Sequence, residues 1–146
     1  MIRPILTTDG PDLIAMARET GFFVPREIDL LRGDLADPDP VDHHLIDDRG
    51  GFITFGPDPI GDRLWAVYWI VTARSAQGQG IGSALTAFAE QVARNAGGRL
   101  MYLETSATPQ YGPTQRFYRG RRYDVIARVP DFYEDGHDKL IFGKRL

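Results

Sequence analysis

Between Gln77 and Ser83 the chain reads Gln-Gly-Gln-Gly-Ile-Gly-Ser, with glycines on alternate positions at Gly78, Gly80 and Gly82. Such a stretch leaves its backbone bare. The N–H groups of Gln77, Gly78, Gln79, Gly80, Ile81, Gly82 and Ser83 can then converge on one anion. A helix that begins at the same place adds partial positive charge. The chemistry served is binding of phosphate or diphosphate. A tight turn needs only one glycine, so the threefold repeat favours anion binding. No lysine follows the glycines, which excludes the nucleotide-hydrolysing P-loop. The dinucleotide fingerprint G-x-G-x-x-G, with an acid at the end of the next strand, is matched at Gly78, at Gly80 and near Glu104, but Ser83 stands at its third glycine. The adjacent pair His43-His44 would point to opposite faces of a strand, so no metal site is expected there. Arg116, Arg119, Arg121 and Arg122 form a short basic cluster that reads as solvated surface.

The elements that must position these groups follow from periodicity and punctuation. Residues 2–6 read as a first strand. Pro11 and Pro25 each suit the first turn of a helix, and Gly21 ends the first of the two. His44 to Asp47 and Gly51 to Phe55 read as short strands around Asp48-Arg49-Gly50. Leu64 to Thr72 is rich in aromatic and β-branched residues and reads as a buried strand. Ile81, Ala84, Leu85, Phe88 and Val92 then recur at helical spacing until Gly97-Gly98. Leu100 to Leu103 is the next strand, so strand, helix and strand form one βαβ crossover with parallel strands. Gly112-Pro113 opens a short helix reaching Arg119. Tyr123 to Val129 and Lys139 to Lys144 form a last strand pair around the turn Asp135-Gly136. The fold class expected is α+β: a mixed, mostly antiparallel sheet with one crossover and helices on both faces. A dinucleotide fold would need more parallel units than this single one.

The chain has 146 residues, enough for one domain with a closed core, and no linker divides it, so residues 1–146 are expected to form a single domain. Cysteine is absent, which excludes disulfides, thiolate metal sites and a cysteine nucleophile. The longest apolar run, Leu64 to Val71, is far short of a membrane span, and the start lacks the apolar core of a signal peptide. A formal net charge of −3 makes nucleic acid a poor partner. The expected setting is cytoplasmic, with neither membrane nor nucleic acid as partner.

Gln77-x-x-Gly80-x-Gly82 resembles the Q/R-x-x-G-x-G/A signature of the GNAT superfamily of acyltransferases. The flanking text WIVTARSAQGQGIGSAL is similar to that family's central strand, pyrophosphate loop and helix. Tyr102-Leu-Glu-Thr105 resembles its next strand, and Phe117-Tyr118 its late tyrosine motif. The resemblance implies an N-acetyltransferase that uses acetyl-CoA as co-substrate and an amine as acceptor. It implies that backbone groups of Ile70 and Thr72 pair with the pantetheine arm and that the amides of residues 77–83 hold the pyrophosphate. It also implies that strands 64–72 and 100–104 splay at their ends around the thioester. Three positions depart from the pattern: Tyr111 replaces an asparagine, Arg122 a glycine and Arg74 a proline.

Transfer from a thioester needs a neutral amine, a stabilised oxyanion and a proton for the leaving thiolate. An alkyl amine is mostly ammonium at neutral pH, so a proton acceptor is required. Glu104, closing its strand after Leu103, is the candidate base, acting through water. Tyr118 is, by the resemblance, the candidate acid for the thiolate. A backbone N–H near Val71 or Thr72 is the expected oxyanion donor. Asp131, Glu134, Asp135, His137 and Asp138 read as a solvated hairpin tip, or as a rim that attracts a cationic amine. Phe22, Phe23, Phe132 and Tyr133 would line the acceptor side by the same resemblance. Relatives often pair, so a homodimer is an expectation too. A module that holds acyl-CoA without transfer is the alternative; Glu104 and Tyr118 together favour an enzyme.

Overall fold

Proline and glycine set the helix boundaries. In the computed structural model, which describes residues 1–146, Pro11 lies in the first turn of α1 (Gly10–Thr20), and Gly21 ends that helix at φ 74°. Pro25 opens α2 (Pro25–Ala36), where the Glu27 carboxylate accepts the Val24 amide at 3.1 Å. The two later helices are α3 (Ile81–Asn95) and α4 (Gly112–Gly120). The strands are β1 (Ile2–Pro4), β2 (His43–Asp47), β3 (Gly51–Pro57), β4 (Leu64–Thr72), β5 (Leu100–Ser106), β6 (Asp124–Glu134) and β7 (His137–Arg145). They hydrogen-bond in the order β1-β2-β3-β4-β5-β7-β6. β4 and β5 pair in parallel, whereas β1–β2, β2–β3, β5–β7 and β6–β7 are antiparallel. This is the mixed, mostly antiparallel α+β sheet with one crossover that the periodicity predicts. No helix is long and apolar enough to cross a membrane.

The chain divides into two compact units, Met1–Gly56 with Tyr68–Val92, and Pro57–Val67 with Ala93–Leu146. In the first, the apolar faces of α1 and α2 bury Leu13, Ile14, Ala17, Ile28, Leu31 and Leu35 with Phe52 and Val71. Each large side chain removed from water there contributes about 1.5–3 kcal/mol. α3 covers the other face of β3. A Cβ on Gly51 would lie 2.6 Å from Ile81 Cγ2 and 3.1 Å from the Val71 carbonyl oxygen, so only glycine lets the start of α3 come this near the strand. Gly51 and Phe52 point to opposite faces by strand alternation, which gives this unit helices on both faces.

In the second unit Met101, Leu103, Tyr118, Tyr123, Leu140 and Phe142 are buried. Two strands run further than their sequences suggest. β5 continues through Glu104, Thr105 and Ser106, because these polar residues pair with Ile141, Leu140 and Lys139 of β7. β6 continues past Pro130 to Glu134. It is an edge strand, where a proline's missing N–H need not break the ladder.

Candidate functional site

The glycine turn is assembled from β3, β4 and the start of α3. The Ala73 amide donates to the Gly50 carbonyl at 2.9 Å, tying the end of β4 to the β2–β3 hairpin. A 3₁₀ turn, Arg74–Ala76, follows, and Gln77 is extended at φ −64°, ψ 150°. Gly78 and Gly80 both sit at φ 77°, the left-handed region that other residues enter at a cost. A Cβ on either would meet nothing within 4 Å, so the space beside the turn is open. The first intrahelical bond of α3 runs from the Ala84 amide to the Gly80 carbonyl at 3.0 Å. The amides of Ile81, Gly82 and Ser83 therefore precede the helical ladder. Buried Ile81 and Leu85 anchor the helix while Gln77 to Gly80 stay exposed. Alternating left-handed glycines ahead of a helix start form a concave set of N–H donors, and these residues fit a diphosphate. On β4, Val71 is buried in the α1–α2 core, so Ile70 and Thr72 face away from that core.

In the second unit the parallel ladder runs Leu64↔Leu100, Trp65↔Met101, Ala66↔Tyr102 and stops, although β4 continues to Thr72 and β5 to Ser106. Glu104 lies within β5 rather than closing it, between buried Leu103 and Thr105. Its side chain is 41% exposed, and Oε2 lies 2.7 Å from Lys139 Nζ. That lysine escaped the sequence reading. Lys139 faces Ser106 in the β5–β7 register, which makes Glu104 its diagonal neighbour on one face. A lone lysine two positions from an acid across a ladder carries no signal until the register is known.

Tyr118 is 4% exposed and packs among Phe117, Phe142 and Tyr123, with ring centroids at 5.5, 5.5 and 6.3 Å. Burial pushes its hydroxyl well above the ordinary phenol range, so the proton stays on oxygen. α4, which carries it, is fixed to the end of β5 by the Gln115 amide, whose Nε2 donates to the Ser106 carbonyl at 2.9 Å. Arg122, standing where the family pattern has glycine, adopts φ 67°, so the left-handed turn is kept without the residue suited to it.

His43 stacks on Phe55 with centroids 4.9 Å apart, whereas His44 faces Thr54 on the other side of the strand. Burial lowers the His44 pKa, and neither of its ring nitrogens has a partner. Phe23 packs on Trp69 at 5.7 Å and partly belongs to the α1–α2 core. In the acidic turn, Asp138 accepts the Arg128 guanidinium at 2.6 Å and the Asp131 amide at 2.9 Å, and Glu134 meets His137 Nδ1 at 2.6 Å. Much of that charge is spent inside the hairpin itself.

Residues 12–121 match the model of the Acetyltransferase (GNAT) family. The chain belongs to this family. A GNAT-family acetyltransferase from Desulfovibrio desulfuricans is 31% identical to it, with 99% of this chain and 98% of that one covered at a TM-score of 0.92. An aminoglycoside 6′-N-acetyltransferase complexed with coenzyme A is 18% identical, covers 99% and 96% of the two chains and has a TM-score of 0.78. The ribosomal-protein-S18-alanine N-acetyltransferase of Escherichia coli is 15% identical, with 99% and 92% covered and a TM-score of 0.77. At those last two identities the likeness is one of fold. No curated protein sequence matches the chain. A GNAT protein is an acyltransferase, which removes the nicotinamide-enzyme reading of the glycine turn.

Proposed function

We propose that this GNAT protein is an N-acetyltransferase, one catalytic domain that moves an acetyl group from acetyl-CoA to a primary amine by direct attack in a ternary complex. The acceptor is a small molecule or an exposed protein amine. The observation that carries the reading is the open turn at Gly78 and Gly80, with unladdered amides leading into α3. Acetyl-CoA, when bound, supplies an activated thioester. The amides of residues 77–83 hold its diphosphate, and backbone groups of Ile70 and Thr72 hold its extended arm. Glu104, half-open to solvent, takes the proton of the acceptor ammonium through water. Its bond to Lys139 keeps that carboxylate in a fixed direction. Tyr118, whose buried hydroxyl keeps its proton, donates it to the leaving sulfur. A backbone N–H near Val71 or Thr72 steadies the charge that develops on the acyl oxygen.

The test is thiol release from acetyl-CoA across a panel of alkyl, aryl and peptide amines, with mass-spectrometric identification of the products. Acetylated amine formed in step with free thiol is the expected result. Tight acetyl-CoA binding with no amine acetylated would contradict it.

A further inference from the structure

Of the 17 Lys and Arg residues only two are lysines, Lys139 and Lys144, both on β7. Arginine keeps its charge and is no acceptor for an acyl group, so the chain offers very few side-chain amines. One of them is held in an unusual setting. β6 and β7 pair up to Val129↔Lys139 and resume at Glu134↔His137, so Pro130 to Tyr133 lie opposite the single residue Asp138. This bulge is pinned by its own polar groups. Asp138 accepts the Asp131 amide at 2.9 Å, and Asp131, at φ 53°, accepts the Gly136 amide at 2.7 Å. The bulge lays the Phe132 ring over Lys139, with Nζ 3.4 Å from the ring centroid, while Glu104 Oε2 stands 2.7 Å from the same nitrogen. Phe132 is itself 52% exposed, so the cover over the ammonium is a surface segment rather than core.

A carboxylate and a ring face are what hold an alkylammonium in place. A positioned ammonium beside a proton acceptor is also what an acceptor amine must become before transfer. We propose that Lys139 is an acetylation site of the chain itself, with its Nζ as a built-in acceptor. The inference rests on the N-acetyltransferase reading above. The Lys139 ammonium gives one proton to Glu104. The freed Nζ lone pair forms a bond to the thioester carbonyl carbon, the C–S bond breaks, and the leaving thiolate takes up the second proton shed by the nitrogen, as CoA thiol, while Glu104 passes its proton to water. The product is neutral Nε-acetyllysine. Loss of the cation removes both the ion pair and the ring contact.

The experiment is incubation of the purified full chain with acetyl-CoA, followed by time-resolved peptide mass spectrometry. Lys144, on the same strand with Nζ 5.5 Å from the Tyr123 ring, is the internal reference. Lys139 is expected to gain an acetyl group at least about tenfold faster than Lys144, as expected for general-base assistance. Glu104→Gln is expected to bring Lys139 down to the rate of Lys144. Lys139→Arg keeps a cation beside Glu104 and is expected to abolish labelling at this position while Lys144 is labelled at its wild-type rate. Equal rates at the two lysines, or labelling of Lys139 that ignores Glu104→Gln, overturn the proposal. Calorimetric titration of the same sample with acetyl-CoA separates the two failures. Binding without Lys139 labelling overturns the modification site alone, whereas no binding overturns the N-acetyltransferase reading with it.

Discussion

Tyr118 is enclosed by three aromatic rings, so removing its oxygen leaves the packing intact. Tyr118→Phe is expected to lower kcat on the order of a hundredfold, the lower end of what a positioned acid contributes, and to leave the KM for acetyl-CoA within about twofold. Steady-state kinetics with any accepted amine checks it; wild-type turnover would remove Tyr118 from the chemistry. Arg122 poses a question of stability rather than of rate. An exposed arginine at φ 67° carries the left-handed penalty of about 1–2 kcal/mol, part of which glycine returns as chain entropy in the unfolded state. Arg122→Gly is therefore expected to raise the unfolding free energy by about 0.5–1 kcal/mol in urea titrations. The sequence shows this residue as a departure from the glycine pattern. Only the dihedral shows that the turn kept its conformation. Lys139 is the opposite case, since its meeting with Glu104 depends on the β5–β7 register, a long-range property that no local spacing encodes.

The turn from β4 into α3 could be read at the level of elements because its signals are local. β-branched and aromatic residues mark the strand, alternate glycines mark the turn, and apolar residues at helical spacing mark the helix. The ends of β5 and β6 could not. Glu104-Thr-Ser106 and the segment after Pro130 look like loop text, and they become strand only through partners on β7 and the tolerance of an edge. Gly80 has open space where a Cβ would go, so Gly80→Ala should cost the free protein only about 1 kcal/mol from its left-handed φ. The effect on acetyl-CoA should be larger in proportion. A Kd increase of at least about tenfold, or about 1.4 kcal/mol, is expected by calorimetry. A variant with unchanged affinity would show that this backbone is not the anion cradle.

For the molecule as a whole, two carboxylates tie its acid stability to named arginines. Bonding to the Arg3 side chain, then to the Leu6 amide, holds Asp9 to about 2, and bonding to Arg49 holds buried Asp47 to about 2 as well. A folded-state pKa below the unfolded one contributes stability that is complete above the ordinary carboxylate value and is lost as pH falls through the lower one. The melting temperature should therefore be nearly level above about pH 5 and fall between about pH 4 and pH 2. Asp47→Asn should be less stable than wild type near neutrality, with the difference shrinking as the pH approaches 2. A gap between the two proteins that stays constant with pH would contradict this. In the proposed reaction the first step is capture of a diphosphate by main-chain amides, and backbone NMR with acetyl-CoA titrated in tests that most directly. The largest amide shifts are expected between Gly78 and Ser83. Silent amides there, with binding registered elsewhere or absent at millimolar ligand, would contradict it.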